Sequence, residues 1–200
     1  FVERWPDIAL LHFDAHADLR DGYDGEHFSH AAALRRCLDH PEVSLVSIGI
    51  RNISAEEIPF YEGNRHRIHI HWAKDKAQWD LEKMIAPLIG KTVYGTFDVD
   101  GFDAAVMPAT GTPEPGGLLW QDVLPILRRA AAVSHWVGAD VNELAPAAGL
   151  HACDHLAAKL AYKILAYRFG VSPHDATRAP RNGRFMVYIS TPILQPLARA

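Results

Sequence analysis

The 200 residues, 48% of them hydrophobic, are enough for one well-buried domain. A net charge of −4 without a basic run leaves no electrostatic footprint for nucleic acid or an anionic membrane, and no stretch approaches membrane-span length. Two cysteines, Cys37 and Cys153, suit a reducing compartment, and without a secretory signal at the start the expectation is a cytoplasmic protein.

The chain begins at Phe1 and reaches a strand almost at once, the apolar run Ile8-Ala9-Leu10-Leu11-His12-Phe13. This run leads into Asp14-Ala15-His16-Ala17-Asp18. Alternate residues of an extended chain share a face, so the spacing predicts two carboxylates and an imidazole converging from one strand end. Such a cluster repels itself unless a cation sits inside it. Hard oxygens with one nitrogen suit Mn²⁺, Mg²⁺ or a catalytic Zn²⁺, whereas a structural zinc would want thiolates. Alone, the same five residues also read as a solvated loop after a strand.

Residues 29–37 read as a helix with Ser29 as its cap, and 44–50 as a buried strand. A helical turn over 55–61, a short strand over 67–71 and a helix over 76–89 ending at Gly90 follow. The next strand, from Thr92-Val93-Tyr94, ends in Thr96-Phe97-Asp98-Val99-Asp100-Gly101-Phe102-Asp103. Here Asp98 and Asp100 are expected to share a face. Two strands that each end in alternating carboxylates match a binuclear site, which needs about four anions to balance two dications. The loop 108–117, with three prolines and three glycines, shapes the chain beside this cluster. A helix over 120–132, a strand over 136–141 and a long helix over 155–169 complete an alternation that predicts a mainly parallel α/β sheet with ligand groups at the carboxyl ends of its strands. Residues 1–170 read as one catalytic domain. Beyond Gly170 the chain turns polar and proline-rich before a strand-like stretch at 185–189, so 171–200 reads as a tail.

The ordered motifs Asp14 to Asp18, Thr96 to Asp103 and Pro108-Ala109-Thr110-Gly111-Thr112-Pro113-Glu114-Pro115-Gly116-Gly117 resemble those of the ureohydrolases, the family of arginase and agmatinase. The family wording is Asp-Ala-His-x-Asp, Ser-x-Asp-x-Asp-x-x-Asp-Pro and a Gly-Thr-Pro segment; Thr96 replaces the Ser and Ala104 the last Pro. The resemblance covers about residues 8–170 and implies a three-layer α/β/α fold. An upstream Gly-Gly-Asp/Glu-His segment of the family does not occur in these 200 residues. The chain is therefore expected to be N-terminally truncated relative to the family, with one metal site short of a histidine.

The resemblance also implies the chemistry: two Mn²⁺ per subunit, hydrolysis of a guanidino C–N bond to urea and an amine, and self-association as a trimer or hexamer. Asp14 and Asp98 would bridge the metals, Asp18 would bind the first metal and accept a proton, and His16 with Asp100 would complete the second. His30 resembles the family's proton-shuttling histidine. Glu143, in Asp140-Val141-Asn142-Glu143, resembles the acid that anchors the guanidinium, with Asp140 in a supporting place. Gly49-Ile50-Arg51-Asn52 stands where arginases carry Gly-x-Arg-Asp, which favours agmatine over arginine as substrate, with guanidinobutyrase- and formimidoylglutamase-type substrates as further alternatives. Two other readings remain: an impaired fragment or pseudoenzyme of the same fold, and a metallophosphoesterase, for which Gly63-Asn64-Arg65-His66 is the nearest approach to the required Gly-Asn-His-Asp/Glu.

Overall fold

The computed structural model describes residues 1–170 and 186–189. Its centre is a six-stranded sheet in the order β3-β2-β1-β4-β5-β6, formed by β1 (Ala9–Phe13), β2 (Ser44–Ile50), β3 (Ile68–Trp72), β4 (Thr92–Asp98), β5 (His135–Asn142) and β6 (Met186–Ile189). Every pairing between these strands is parallel. The strand predicted at 185–189 is thus β6, hydrogen-bonded to β5; the other tail residues, 171–185 and 190–200, lie outside the described residues.

Parallel strands need crossovers and are covered on both faces, which explains why β1 and β2 are apolar at nearly every position rather than alternating. Leu11, Phe13, Val46, Ile48 and Phe97 enter one core with α3 (Leu81–Ile85), α4 (Trp120–Val133) and α5 (His151–Phe169). Ile8, Leu10, Leu45 and Ile50 point the other way and pack with Leu34 and Leu38 beside α1 (Ala33–Cys37) and with Tyr61 of α2 (Ile58–Gly63). The result is the expected α/β/α layering. Among the described residues no helix is long and apolar enough to cross a membrane.

Several predicted elements differ in detail. The helix expected over 76–89 is three pieces, a 3₁₀ segment Ala73–Gln78, α3, and a 3₁₀ turn Ala86–Leu88. The break falls at Trp79 and Asp80, where the Asp80 carboxylate accepts hydrogen bonds from the amides of Glu82 and Lys83 at 3.1 and 3.2 Å and starts a new helix. The helix at 29–37 opens as a 3₁₀ turn, His30–Ala32, and Ser29 makes no side-chain cap bond. The turn expected over 55–61 is the helix α2, shifted downstream, and the long helix predicted from 155 starts one turn earlier, at His151.

β1 sits at the centre of the topology, with β2 and β3 stepping away on one side and β4, β5 and β6 on the other. The connections therefore reverse direction between β1 and β4, and a crevice opens beyond the carboxyl ends of those two strands. Both acidic motifs follow those ends.

Candidate active site

The aromatic residues that precede the acids in sequence pack together in the core. Phe13 stacks on Phe97 at 4.7 Å between ring centroids, and Phe97 meets Phe102 at 5.0 Å, all three fully buried. Phe13 ends β1, Phe97 precedes the last residue of β4 and Phe102 follows the turn after it, so packing at the core fixes the backbone from which Asp14, Asp98 and Asp100 project.

β1 ends at Phe13, and the convergence of Asp14, His16 and Asp18 does not come from a continued strand as the spacing suggested. The chain bends at Ala15, forms a bridge between His16 and Asn52, and passes through Asp18 in the left-handed region at φ 55°. A non-glycine residue there costs about 1–3 kcal/mol and persists where the surroundings impose it. Asp98 is the last residue of β4, and Asp100 reaches the same side through a 3₁₀ turn, Val99–Gly101, in which the Asp98 carboxylate accepts the Asp100 amide at 2.9 Å. The two loops touch: a Cβ on Gly101 would lie 2.9 Å from the Asp14 nitrogen, so only glycine permits this approach.

Asp14 is buried, with one carboxylate oxygen 2.9 Å from His12 Nε2 and the other accepting the His16 amide at 2.6 Å. His16 Nδ1 lies 3.4 Å from Asp14 Oδ1 and 3.1 Å from Asp100 Oδ2. Thr112, in the Pro/Gly loop, donates its hydroxyl to the same Asp100 oxygen at 3.1 Å. Two groups of side chains each bring one ligand atom apiece within 4.8 Å of one another: Asp14, His16 and Asp100, and Asp14, Asp18 and His12. Asp98 joins neither group but lines the same cavity, of about 650 Å³, as do His30 and Glu143. All seven sequence-predicted site residues are therefore brought to one cavity. Glu143 stands just past β5 with φ 63°, and His30 is exposed at the start of its 3₁₀ turn. Asp140, in contrast, is engaged with Thr96 at 2.7 Å and with Asn142, and does not line the cavity. Gly63 to His66 also stay away from it, with Asn64 donating to Phe60 at the end of α2.

The electrostatics are those of an overcrowded anion cluster. Burial, followed by the Asp14 charge, pushes the carboxyls of Asp18 and Asp98 well above the usual range, and burial raises Asp100 and Glu143 as well. For Asp14 burial works in the same direction but is outweighed by hydrogen bonds from His12 and His16, which hold it well below the usual range. Burial would lower His16, yet its contacts with Asp100 and Asp14 raise it to about 10. Carboxylates this close hold their charge only with compensation, and oxygen ligands mixed with imidazole fit a hard or borderline divalent ion.

His12 was not singled out in the sequence because it sits inside an apolar run. It is 2% exposed, and its Nδ1 lies 3.1 Å from the Ser47 hydroxyl on β2. Its position two residues before Asp14, on the same strand face, was the available signal. Glu57 was also missed: buried beside the mouth, it accepts bonds from the amides of Leu19 and Ser54.

The arginase family's sequence profile matches residues 1–167. The chain is 38% identical over 163 residues to N(1)-aminopropylagmatine ureohydrolase of Synechocystis, covering 80% of this chain and 52% of that one. It is 37% identical over 149 residues to an agmatinase of Halalkalibacterium halodurans, covering 72% and 49%. It thus spans about half the length of these curated relatives. Among solved structures, proclavaminate amidino hydrolase from Streptomyces clavuligerus superposes with a TM-score of 0.72 at 27% identity, over 84% of this chain and 58% of that one. Agmatine ureohydrolase of Thermoplasma volcanium gives 0.67 at 33%, over 81% and 55%. Motifs, topology and these likenesses agree, and the chain belongs to the arginase family.

Proposed function

We propose that this chain carries the catalytic centre of a ureohydrolase that uses two Mn²⁺ ions to cleave a guanidino C–N bond, with agmatine as substrate and urea and putrescine as products. The observation that carries this reading is the convergence of Asp14, His16, Asp18, Asp98, Asp100, His30 and Glu143 on one cavity. Asp14, His16 and Asp100 would hold one ion; Asp14 and Asp18, with Asp98 alongside, would hold the other. When bound, the ions supply a water nucleophile at neutral pH.

The protein groups do the rest. The Glu143 carboxylate pairs with the planar guanidinium through charge-assisted hydrogen bonds and orients its carbon towards the acids. Asp18 accepts the proton given up by the attacking water. As the bond from the guanidino carbon to the alkylated nitrogen breaks, His30 delivers a proton to that nitrogen, which leaves as the amine. Asn52 stands at the position at which arginases carry an acid and offers an amide there instead, which donates to the Glu114 carboxylate at 3.2 Å. That favours agmatine over arginine. The same reading makes this a cytoplasmic enzyme of polyamine metabolism that self-associates as a trimer or hexamer.

Asp98 falls outside both groups of converging ligand atoms, which favours a second reading, a fold-bearing but catalytically impaired chain. Urea release from agmatine with added Mn²⁺ separates the two: turnover supports the enzyme, whereas a well-folded, Mn²⁺-loaded chain that releases no urea supports the impaired form. Cleavage of arginine or 4-guanidinobutyrate in preference to agmatine would overturn the substrate assignment alone.

A further inference from the structure

The side chain of Arg51, just past the end of β2, reaches into a nest of backbone carbonyls. Its Nε donates to Pro115 at 3.0 Å, Nη1 to Gly49 at 3.0 Å and Gly101 at 3.5 Å, and Nη2 to Asp100 at 2.7 Å, Glu114 at 2.8 Å and Phe102 at 3.1 Å. The acceptors belong to three segments: the end of β2, the turn that carries Asp100, and the Pro/Gly loop that carries Thr112. The backbone at the same position grips the other acidic loop. The amides of Arg51 and Asn52 both donate to Ala15 at 2.9 Å, and the Ala17 amide donates to Asn52 at 3.2 Å. Arg51 therefore bonds the loop of Asp14, His16 and Asp18 through its main chain, together with Asn52, and the loop of Asp98 and Asp100 through its side chain.

We propose that Arg51 is the positioning residue of the metal cluster, setting the separation of its two acidic loops. The inference rests on the metal-binding part of the function proposed above.

The chemistry of guanidinium suits this task. Its five N–H donors lie in a rigid plane and reach carbonyls on several sides, whereas a lysine ammonium offers three donors from one point. Among the described residues no carboxylate comes within ion-pair distance of Arg51, so its hydrogen bonds go to carbonyls, while the charges of Asp100, Glu114, Asp103 and Asp14 oppose the effect of burial on the guanidinium. The packing is tight: a Cβ on Gly117 would meet Arg51 Nη2 at 2.8 Å and the Phe102 carbonyl carbon at 2.7 Å. Asp103 completes the clamp by accepting the amides of Gly116 and Gly117 at 2.7 and 2.9 Å.

Arg67 provides an internal control. It likewise donates to backbone carbonyls, those of Leu38, His40, Pro41 and Val43, but none of these bonds reaches either acidic loop. Arg51→Lys and Arg67→Lys are to be compared with the unaltered chain by Mn²⁺ titration followed by electron paramagnetic resonance, with thermal midpoints measured alongside. Both substitutions are expected to lower the midpoint. Only Arg51→Lys is expected to weaken Mn²⁺ binding, by about ten- to hundredfold, as loss of a group that orients metal ligands typically does. Arg51→Lys binding Mn²⁺ as well as the unaltered chain, or both variants weakening it equally, would overturn the proposal.

Amide hydrogen exchange on the unaltered chain covers the case in which Arg51→Lys does not fold. Residues 99–103 and 114–117 should exchange as one unit and gain protection together on Mn²⁺ addition; independent exchange of the two segments overturns the proposal. If the unaltered chain binds no Mn²⁺, the metal reading fails by itself, and the clamp is then judged on joint exchange of those segments in the metal-free protein.

Discussion

Glu143 combines a left-handed backbone conformation with a carboxyl whose titration is raised by burial and moderated by His30. Holding a large side chain at φ 63° has a conformational cost, and here it places the carboxylate at the cavity that the proposed metal ligands line. Truncating one side of a desolvated charge pair typically costs about 2–5 kcal/mol. Glu143→Gln in the active protein is therefore expected to lower kcat/KM for agmatine by roughly thirtyfold or more while Mn²⁺ content stays unchanged. Steady-state kinetics with metal analysis on the same sample provide the check, and wild-type kinetics in the variant would remove Glu143 from the substrate-anchoring role.

The broken helix between Ala73 and Leu88 illustrates how an element boundary arises from one side chain. Apolar spacing runs almost continuously through this stretch, but Asp80 sits in an extended conformation and caps α3 instead of continuing the preceding 3₁₀ segment. Met84 and Ile85 are thereby directed into the core beneath β4. Asp80→Ala should cost about 1 kcal/mol of stability, the usual worth of such a cap. Chemical denaturation measures it, and Mn²⁺ affinity should not change, since Asp80 is remote from the cavity lining. A loss of metal binding in that variant would mean that the break transmits strain to the site.

For the molecule as a whole, the proposed metal site makes the acidic cluster a point where folding, protonation and metal binding are coupled. His16 is raised from its ordinary value of 6.5 to about 10 by Asp100 and Asp14, against the lowering effect of burial. Its contribution to the metal-free fold is therefore fully present below about pH 6.5 and is lost as pH rises through about 10. Asp18 and Asp98, raised by burial and by the Asp14 charge, act with the same sign, because the folded state holds their protons more tightly than the unfolded chain does. The metal-free protein should consequently lose stability between neutral and alkaline pH. Mn²⁺ must displace these protons, so its affinity should rise over the same interval. Thermal melts at about pH 6 and about pH 8, each with and without Mn²⁺, should show a larger metal-induced gain at the higher pH; an equal or smaller gain would mean that the raised groups are not the ligands.

Alternating apolar runs and short helical patterns were sufficient to establish a parallel α/β chain, because burial on both faces of a sheet leaves a local imprint in each strand. Asp14, His16, Asp18, Asp98, Asp100, His30 and Glu143 were likewise legible, since their motifs are contiguous and similar to the family's. What local pattern could not contain was how the two acidic loops meet. The bend at Ala15, the left-handed turn at Asp18, the close approach at Gly101 and the carbonyl nest around Arg51 depend on contacts between residues distant in sequence, such as Ala17 with Asn52, Arg51 with Glu114 and Asp14 with Gly101. His12 escaped notice for the same reason: an imidazole in an apolar run acquires meaning only when Ser47 on the neighbouring strand and Asp14 at the strand end supply its two partners. Side-chain period is a property of one segment, whereas the spacing of charges in a site is set by the packing of several, and that packing exists only once the sheet has formed.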